Sequence, residues 1–352
     1  MTEFNLTPQH PANGLTVLEL FCGGGLGAIG FKSAGYDIIK ALDFDKNAVK
    51  ACRHNFGDYV EQADISEVDI DSLPDADVIF GGPPCQDFSV AGKGAGADGR
   101  GKLVWRYLEI IERKQPKTFV FENVKGLIAK RHRLTFDALI EKFNEIGYQI
   151  SWQIMNAWHY GVAQKRERVF IVGIRKDLGF TFKFPKPLEG DYQTQVLKNV
   201  IGDLPEPTAF PNHMGTKTKF RDGKTQGDKV CPLESPSPTI RAEHHGNIEG
   251  FDTSEKTNGS ESGLRRFTVR ECLRIQSAPD TYVLSDDISL SAQIGLSETE
   301  SLRVLRGMSD VHLRISYDLN RKHKRRKGTP YTPASRLPLR QSSENVTEGP
   351  RL

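Results

Sequence analysis

A glycine-rich turn between two strand-like runs constrains the fold of this 352-residue chain more than any other feature. The segment from residue 14 to residue 45 reads GLTVLELFCGGGLGAIGFKSAGYDIIKALDFD. An apolar run precedes the glycines, a helical apolar pattern follows them, and a second strand-like run ends in acidic residues. This order predicts a β-α-β unit, in which the glycines let a ligand approach the backbone and the helix amino terminus offers free amides.

The unit by itself leaves the ligand open. A carboxylate at the end of the second run, such as Asp43, can accept hydrogen bonds from ribose hydroxyls. NAD, FAD and S-adenosylmethionine all suit this arrangement, and a glycine turn with a purely structural role has the same sequence. The choice among them needs evidence from elsewhere in the chain.

Strand-like and helical runs continue to alternate over residues 76–175. They read ADVIFGG, KLVWRYLEIIERKQ, TFVFENV, RLTFDALIEKFNEIG, YQISWQIMNAW and ERVFIVGIR. This alternation predicts a doubly wound α/β sheet with sites at the carboxyl ends of its strands. Residues 181–262 are irregular and rich in Pro, Gly, Lys and Thr, and regular pattern returns at RRFTVRECLRIQ. We therefore expect a first domain at 1–180, an irregular region at 181–262, and a segment at 263–293 that returns to the first domain.

Composition favours a globular protein in a reducing compartment. About 37% of the residues are apolar, and no apolar run approaches the roughly 18 residues of a membrane span. The start, MTEFNLTPQHPANG, is polar and has no signal-peptide core, so we expect a cytoplasmic protein.

The cysteines lie far apart without a CxxC pair, which argues against structural zinc and a disulfide framework. They are Cys22, Cys52, Cys85, Cys231 and Cys272.

Positive charge is unevenly distributed, although the net charge is only +3. Basic residues crowd the segments KRERVFIVGIRK, RRFTVRECLR and NRKHKRRK. Such patches favour contact with a polyanion such as nucleic acid, whereas any one of them alone is also compatible with a solvated helix face.

Three short segments at predicted strand ends each contain a side chain with a different chemical function. PPCQDFS offers the thiol of Cys85 as a nucleophile, and FENVKG offers the carboxyl of Glu122, which can donate or accept a proton. GVAQKRERVF offers the fixed positive charges of Arg166 and Arg168. If the sheet is doubly wound, all three segments meet at one edge, beside the glycine turn.

With these segments in place, the chain resembles the bacterial DNA (cytosine-5) methyltransferases of restriction-modification systems. The resemblance is carried, in family order and spacing over residues 15–280, by LELFCGGGLGAIGF, DFD, ADI, GGPPCQDFS, FENVKG, QKRER and RRFTVRECLRIQ. It implies a sheet of the S-adenosylmethionine-dependent methyltransferase type with a smaller, irregular target recognition domain. It also implies methyl transfer from S-adenosylmethionine to carbon 5 of cytosine in a specific duplex sequence, by a bacterial cytoplasmic monomer whose genetic partner is a cognate restriction endonuclease.

The resemblance assigns a role to each residue of the three segments. Cys85 attacks carbon 6 of the cytosine, which makes carbon 5 nucleophilic enough to take the methyl group. Glu122 contacts ring N3 and the exocyclic amine, and a proton donated at N3 stabilises the charge that develops. Arg168 holds the activated base, and Arg166 braces the pocket and the DNA backbone.

The resemblance also implies a set of cofactor-binding residues and no metal site. The set consists of Phe21, Gly23, Gly25, Asp43, Phe44, Asp64, Ile65, Pro84 and Leu103. Phe21 stacks near the methionine or adenine part, Asp43 binds the ribose, and Asp64 meets the adenine amine. One departure is visible, because Leu26 stands where the family usually has the last glycine of the turn.

Duplex DNA hides the cytosine edge, so the base must be flipped into the pocket. The resemblance assigns this step to the glycine-rich segment SVAGKGAGADGRGK after the cysteine. It places base readout in residues 181–262, where KTKFRDGKTQGDK and SPSPTIRAEHHGN are candidate DNA-facing segments. We interpret His244 and His245 as phosphate or base contacts or as ordinary surface residues, because no partner ligands stand at metal-binding spacing.

Residues 294–352 form a tail that does not match the family, which closes with a Gly-Asn motif and a helix packed on the glycine turn. Three interpretations stay open: a disordered basic tail, a split enzyme completed by a second polypeptide, and a one-base frameshift near Gln293. The third can be tested on paper. Synonymous codons chosen for residues 294–317, preceded by one T and read in threes, give YRLVGNGIASRVAWYVGRALADQL. This product contains a Gly-Asn motif followed by an apolar helical pattern.

Three rival functions were weighed against a DNA methyltransferase. A transfer-RNA cytosine-5 methyltransferase usually carries a Cys-Phe-Thr near its recognition region, and no CFT occurs here. A non-catalytic DNA-binding protein would not need intact Cys85, Glu122 and Arg168. A nucleotide-dependent oxidoreductase would leave PPCQ beside ENV without a role.

Overall fold

The computed structural model describes residues 10–84, 102–188, 190, 195–205, 211–214, 231–240, 250–252 and 264–299. Several sequence predictions fall outside these ranges. They concern Cys85, the glycine-rich segment that follows it, His244 with His245, and the tail from residue 300.

The described chain alternates strands and helices as its apolar patterns predict. The strands are β1 (Thr16–Leu20), β2 (Asp37–Asp43), β3 (Val60–Gln62), β4 (Val78–Gly81), β5 (Thr118–Val124), β6 (Tyr148–Asn156), β7 (Glu167–Arg175), β8 (Gly250–Asp252) and β9 (Leu264–Arg266). The helices are α1 (Leu26–Ser33), α2 (Lys46–Phe56), α3 (Lys102–Lys114), α4 (Arg133–Glu145), α5 (Leu197–Ile201), α6 (Val269–Ile275) and α7 (Leu290–Thr299).

Strands β1 to β7 form one sheet in the order β3-β2-β1-β4-β5-β7-β6. The pairings from β3 through β5 are parallel, whereas β7 pairs antiparallel with both β5 and β6. The chain order reverses between β1 and β4, which is where an open α/β sheet places its ligand site. The predicted doubly wound α/β class is confirmed.

Two apolar layers cover the sheet, because successive strand side chains point to opposite faces. Val17 and Val120 face one layer, which also holds Phe31 of α1 and Leu273 of α6. On the other face, Phe119 packs in a layer that contains the aromatic and aliphatic side chains of α3 and α4. Helix α6 therefore shares a core with the first β-α-β unit, although more than 200 residues separate them.

Helix α6 begins with a complete capping box. The side chain of Thr268 accepts from the backbone amide of Glu271, and the Glu271 carboxylate accepts from the amide of Thr268. The cap fixes the start of a helix that carries Arg270, whose side chain is fully buried. Within the described part of the chain, no helix combines the length and apolar character needed to cross a membrane.

Candidate active site

The carboxyl ends of the central parallel strands meet the start of β7 at one edge of the sheet. Leu20 pairs in register with Gly81, and Gly81 pairs with Phe121. Val124 pairs with Arg168, which places the amino end of antiparallel β7 at the same edge. The glycine turn, residues 21–25, follows β1 here. The sheet therefore brings the glycine turn and the segments that contain Glu122 and Arg168 together, as the sequence predicts.

Glu122 and Arg168 form a buried ion pair at this edge. The Arg168 Nε atom lies 3.1 Å from the Glu122 Oε1 atom, and the two side chains are 10% and 5% exposed. A Cβ atom at Gly82 would lie 3.3 Å from Glu122 Oε2, so a larger residue there would crowd the carboxyl. The arrangement offers a hydrogen-bonding carboxyl beside a fixed cation, which suits a flat polar ligand with ring nitrogens and an amine.

Asn123 connects this carboxyl to the loop that leads to Cys85. Its side-chain Nδ2 donates to the backbone oxygen of Pro83 over 2.8 Å, and both residues are buried. Pro84 is the last described residue before Cys85. We call Pro83, Glu122, Asn123 and Arg168 the polar edge. The sequence did not predict this contact of Asn123, although its place inside FENVKG was the available signal.

Arg166 has a different partner from Arg168. It is 2% exposed, and its Nη1 donates to the backbone oxygen of Ile240 over 3.1 Å. The amide of Lys165 donates to the oxygen of Ser237 over 2.8 Å. These bonds fasten the described segment 231–240, which belongs to the irregular region, against the start of β7.

The glycine turn is tight and is held by a carboxylate of β2. The Gly23 amide donates to Asp43 Oδ2 over 2.8 Å, and Asp43 is 9% exposed. Phe21, Gly23 and Gly25 have φ angles of 59°, 52° and 83°. A Cβ atom at Gly25 would lie 2.5 Å from Cys52 Sγ, so this position requires glycine for both space and backbone conformation.

The remaining predicted cofactor residues lie around the glycine turn. Phe44 follows β2 and is 70% exposed, which is unusual for a large apolar ring. The amide of Ala63 donates to the oxygen of Asp43 over 2.8 Å, which brings exposed Asp64 and buried Ile65 to the same end of the sheet. Pro84 follows β4, and Leu103 lies in the first turn of α3.

A second buried carboxyl lies close to Asp43. Glu19 of β1 is 1% exposed, and within the described structure its Oε2 atom has no hydrogen-bond partner. Burial, together with the smaller effect of the nearby Asp43, raises the pKa of Glu19 from 4.5 to about 8, although Lys32 acts in the opposite direction. Burial also raises the pKa of Asp43, and the amides of Asp45 and Gly23 oppose that change. Glu19 was not predicted as a site residue, although an acid inside the apolar run LTVLEL was the available signal.

Comparison with known proteins places this arrangement in a family. The model of the C-5 cytosine-specific DNA methylases matches residues 15–297. The type II methyltransferase M.FnuDI of Fusobacterium nucleatum is 36% identical over 295 residues, which cover 76% of this chain and 85% of the relative. M.MthTI of Methanothermobacter thermautotrophicus is 34% identical over 293 residues, which cover 76% of this chain and 88% of the relative.

Solved structures agree on the fold. The crystal structure of a DNMT2 mutant from Spodoptera frugiperda superposes with a TM-score of 0.66 and 22% identity, covering 85% of this chain and 99% of that one. The extent of the family match and the identity to type II enzymes confirm the resemblance predicted from the motifs. The chain belongs to the family of C-5 cytosine-specific DNA methylases and is a DNA (cytosine-5) methyltransferase of the type II restriction-modification kind.

Proposed function

We propose that the enzyme methylates carbon 5 of a cytosine that is flipped out of duplex DNA, through a covalent bond from Cys85, with S-adenosylmethionine as the methyl donor. The observation that carries the proposal is the polar edge. It combines the Glu122–Arg168 ion pair with the Asn123–Pro83 hydrogen bond, which fixes the start of the loop leading to Cys85.

The residues of the glycine turn and its surroundings fit S-adenosylmethionine. Asp43 has a carboxylate suited to ribose hydroxyls, and the exposed ring of Phe44 offers a face on which adenine can stack. Asp64 is exposed at the end of the same strands, where it can meet the adenine amine. When bound, S-adenosylmethionine supplies an electrophilic methyl group.

The protein's own groups account for the other requirements of the reaction. The Cys85 thiolate adds to carbon 6, and a proton from Glu122 at ring N3 neutralises the charge that this addition places on the ring. Carbon 5 then carries the electron pair that takes the methyl group. Loss of the carbon-5 proton to water, departure of Cys85 as a thiolate and return of the N3 proton to Glu122 restore the neutral aromatic base. Arg168 keeps the Glu122 carboxyl in place during these steps.

A methyl-transfer assay with labelled cofactor, using duplex DNA and transfer RNA as substrates, tests this proposal. We expect label in DNA only, no transfer by Cys85→Ser, and covalent trapping of the wild type on DNA that contains 5-fluorocytosine. Cys85→Ser should form no trapped complex, because 5-fluorocytosine captures only an enzyme that has added to carbon 6. A full-rate Cys85→Ser enzyme would refute the covalent mechanism, and label in transfer RNA would refute the substrate.

We further propose that residues 181–262 select the DNA sequence, with a cognate restriction endonuclease as the genetic partner. The hydrogen bonds from Arg166 and Lys165 to residues 240 and 237 support this, since they fasten part of the region beside the polar edge. Exchanging the region for that of a relative should move methylation to the relative's site in bisulfite maps. Unchanged maps would contradict the assignment.

A further inference from the structure

The glycine turn is held on a second side by a residue far along the chain. The Tyr282 hydroxyl donates to the backbone oxygen of Gly24 over 2.8 Å, across 258 positions of sequence. Tyr282 is 1% exposed, so this hydrogen bond is shielded from water. Gly24 lies between Gly23 and Gly25, both of which have positive φ. Two hydrogen bonds therefore hold the turn, one from the Gly23 amide to Asp43 and one from the Tyr282 hydroxyl to Gly24.

Tyr282 is itself rigidly placed. The fully buried Arg270 donates from Nη2 to the Tyr282 backbone oxygen over 2.9 Å. The next residue, Val283, exchanges two hydrogen bonds with the side chain of Asn55, at 3.0 Å and 2.7 Å. The Tyr282 ring also lies 6.3 Å from the ring of Phe56 of α2. The phenol thus has a fixed position from which to hold the turn.

We propose that Tyr282 is a positioning residue for the cofactor, acting through the backbone of the glycine turn. Its hydroxyl fixes the Gly24 carbonyl, so that the turn holds its left-handed conformation and the Gly23 amide keeps its hydrogen bond to Asp43. This inference rests on the proposed use of S-adenosylmethionine. It predicts an effect on cofactor binding and none on the chemistry at the polar edge.

The test compares Tyr282→Phe with Tyr148→Phe in the full-length chain. Tyr148 is an apt control because it is fully buried and its hydroxyl also donates to a backbone oxygen, that of Pro116, over 2.8 Å. Each variant loses one hydroxyl and one such bond. We expect Tyr282→Phe to raise the Kd and KM for S-adenosylmethionine about 3- to 10-fold with kcat unchanged at saturating cofactor, whereas Tyr148→Phe leaves Kd and KM unchanged.

Amide hydrogen exchange without cofactor supplies a second readout, independent of activity. Tyr282→Phe should speed exchange in residues 21–26, and Tyr148→Phe should not. Unchanged exchange and Kd in Tyr282→Phe, or equal weakening in both variants, would overturn the inference. If the wild type binds no S-adenosylmethionine, the proposed cofactor fails, and hydrogen exchange alone decides whether Tyr282 holds the turn.

Discussion

The polar edge and the glycine turn lie at the same end of one sheet, but they are held in different ways. Glu122 and Arg168 lie on adjacent strands, and their backbones are fixed by the register of β5 with β7. The glycine turn has positive φ at several positions and relies on a hydrogen bond that Asp43 accepts and on one that Tyr282 donates. The proposed catalytic pair is therefore held within the sheet, whereas the turn proposed to bind the cofactor also depends on a hydrogen bond from the segment 264–293. Damage near the end of the chain should therefore weaken cofactor binding before it alters the chemistry.

The largest effect should come from the polar edge. Glu122→Gln keeps the size of the side chain but cannot protonate ring N3, so we expect kcat to fall about 10²- to 10⁴-fold. The Kd for S-adenosylmethionine should stay the same, because the glycine turn is untouched. Glu167→Gln is the matched control, since Glu167 lies at the same edge but is half-exposed and pairs with Lys125. A near-normal kcat for Glu122→Gln would contradict the proposed catalytic role of Glu122.

The tail offers the next largest effect. Gln293 is buried and bonded to the backbone oxygen of Ile288 and to Asn212. Helix α7 continues past it to Thr299, Leu296 packs against the core, and the family match ends at residue 297. We propose that a one-base shift near residue 293 replaces a Gly-Asn motif and an apolar helix with residues 294–352. If the restored apolar helix packs on the glycine turn, as the family resemblance implies, restoring the frame should tighten S-adenosylmethionine binding about tenfold or more and raise the melting temperature.

The gene sequence decides this proposal before any protein is made. A stop codon in the other frame over this stretch, or the lack of a Gly-Asn motif there, would refute the frameshift and favour a second polypeptide that completes the enzyme. If the frame is restored and kcat at saturating cofactor rises while the Kd does not change, the link between the tail and the glycine turn is wrong.

Crowding the glycine turn should give a smaller effect on the same quantity. In Gly25→Ala the added methyl group would lie 2.5 Å from Cys52 Sγ at a φ of +83°, so the turn must shift. We expect the Kd for S-adenosylmethionine to rise about tenfold, and DNA binding measured by fluorescence anisotropy to remain normal. Gly57→Ala is the control, because its φ is +99° but nothing lies within 4 Å of the added atom. Equal losses in both variants would point to general strain and not to the turn.

The smallest effect on methyl transfer should follow from Glu19→Gln. This substitution should mainly change how the free energy of unfolding depends on pH. The folded protein holds the Glu19 proton more tightly than the unfolded chain does, since its pKa rises to about 8. The free energy of unfolding contributed by this group is therefore complete at low pH and is lost as pH rises toward about 8. Between roughly pH 6 and pH 8, the free energy of unfolding of Glu19→Gln should fall by up to about 2 kcal/mol less than that of the wild type. Thermal denaturation at several pH values measures this difference. The exposed Glu67→Gln should keep the wild-type slope.

Much of the fold was predictable because its signals are local. The β-α-β unit, the alternation through β7 and the presence of Glu122 and Arg168 at the carboxyl edge followed from apolar periodicity and from the position of each motif after a strand. Asn123 and Glu19 were missed for a shared reason. Each lies inside a run that was already assigned to a strand or a motif, and the importance of each depends on a neighbour from a distant segment of the chain.

The sequence by itself determined the order of the strands and helices, the family motifs and the reactive side chains at each strand end. Only the tertiary structure decided which reactive side chains are in contact. Arg168 forms an ion pair with Glu122, whereas Arg166 donates a hydrogen bond to the backbone oxygen of Ile240. The hydrogen bond from Tyr282 to Gly24 was equally invisible in the sequence. Periodicity reports which face of an element is buried, but the partner of a buried polar group depends on how distant elements pack, and that is set by the whole core at once.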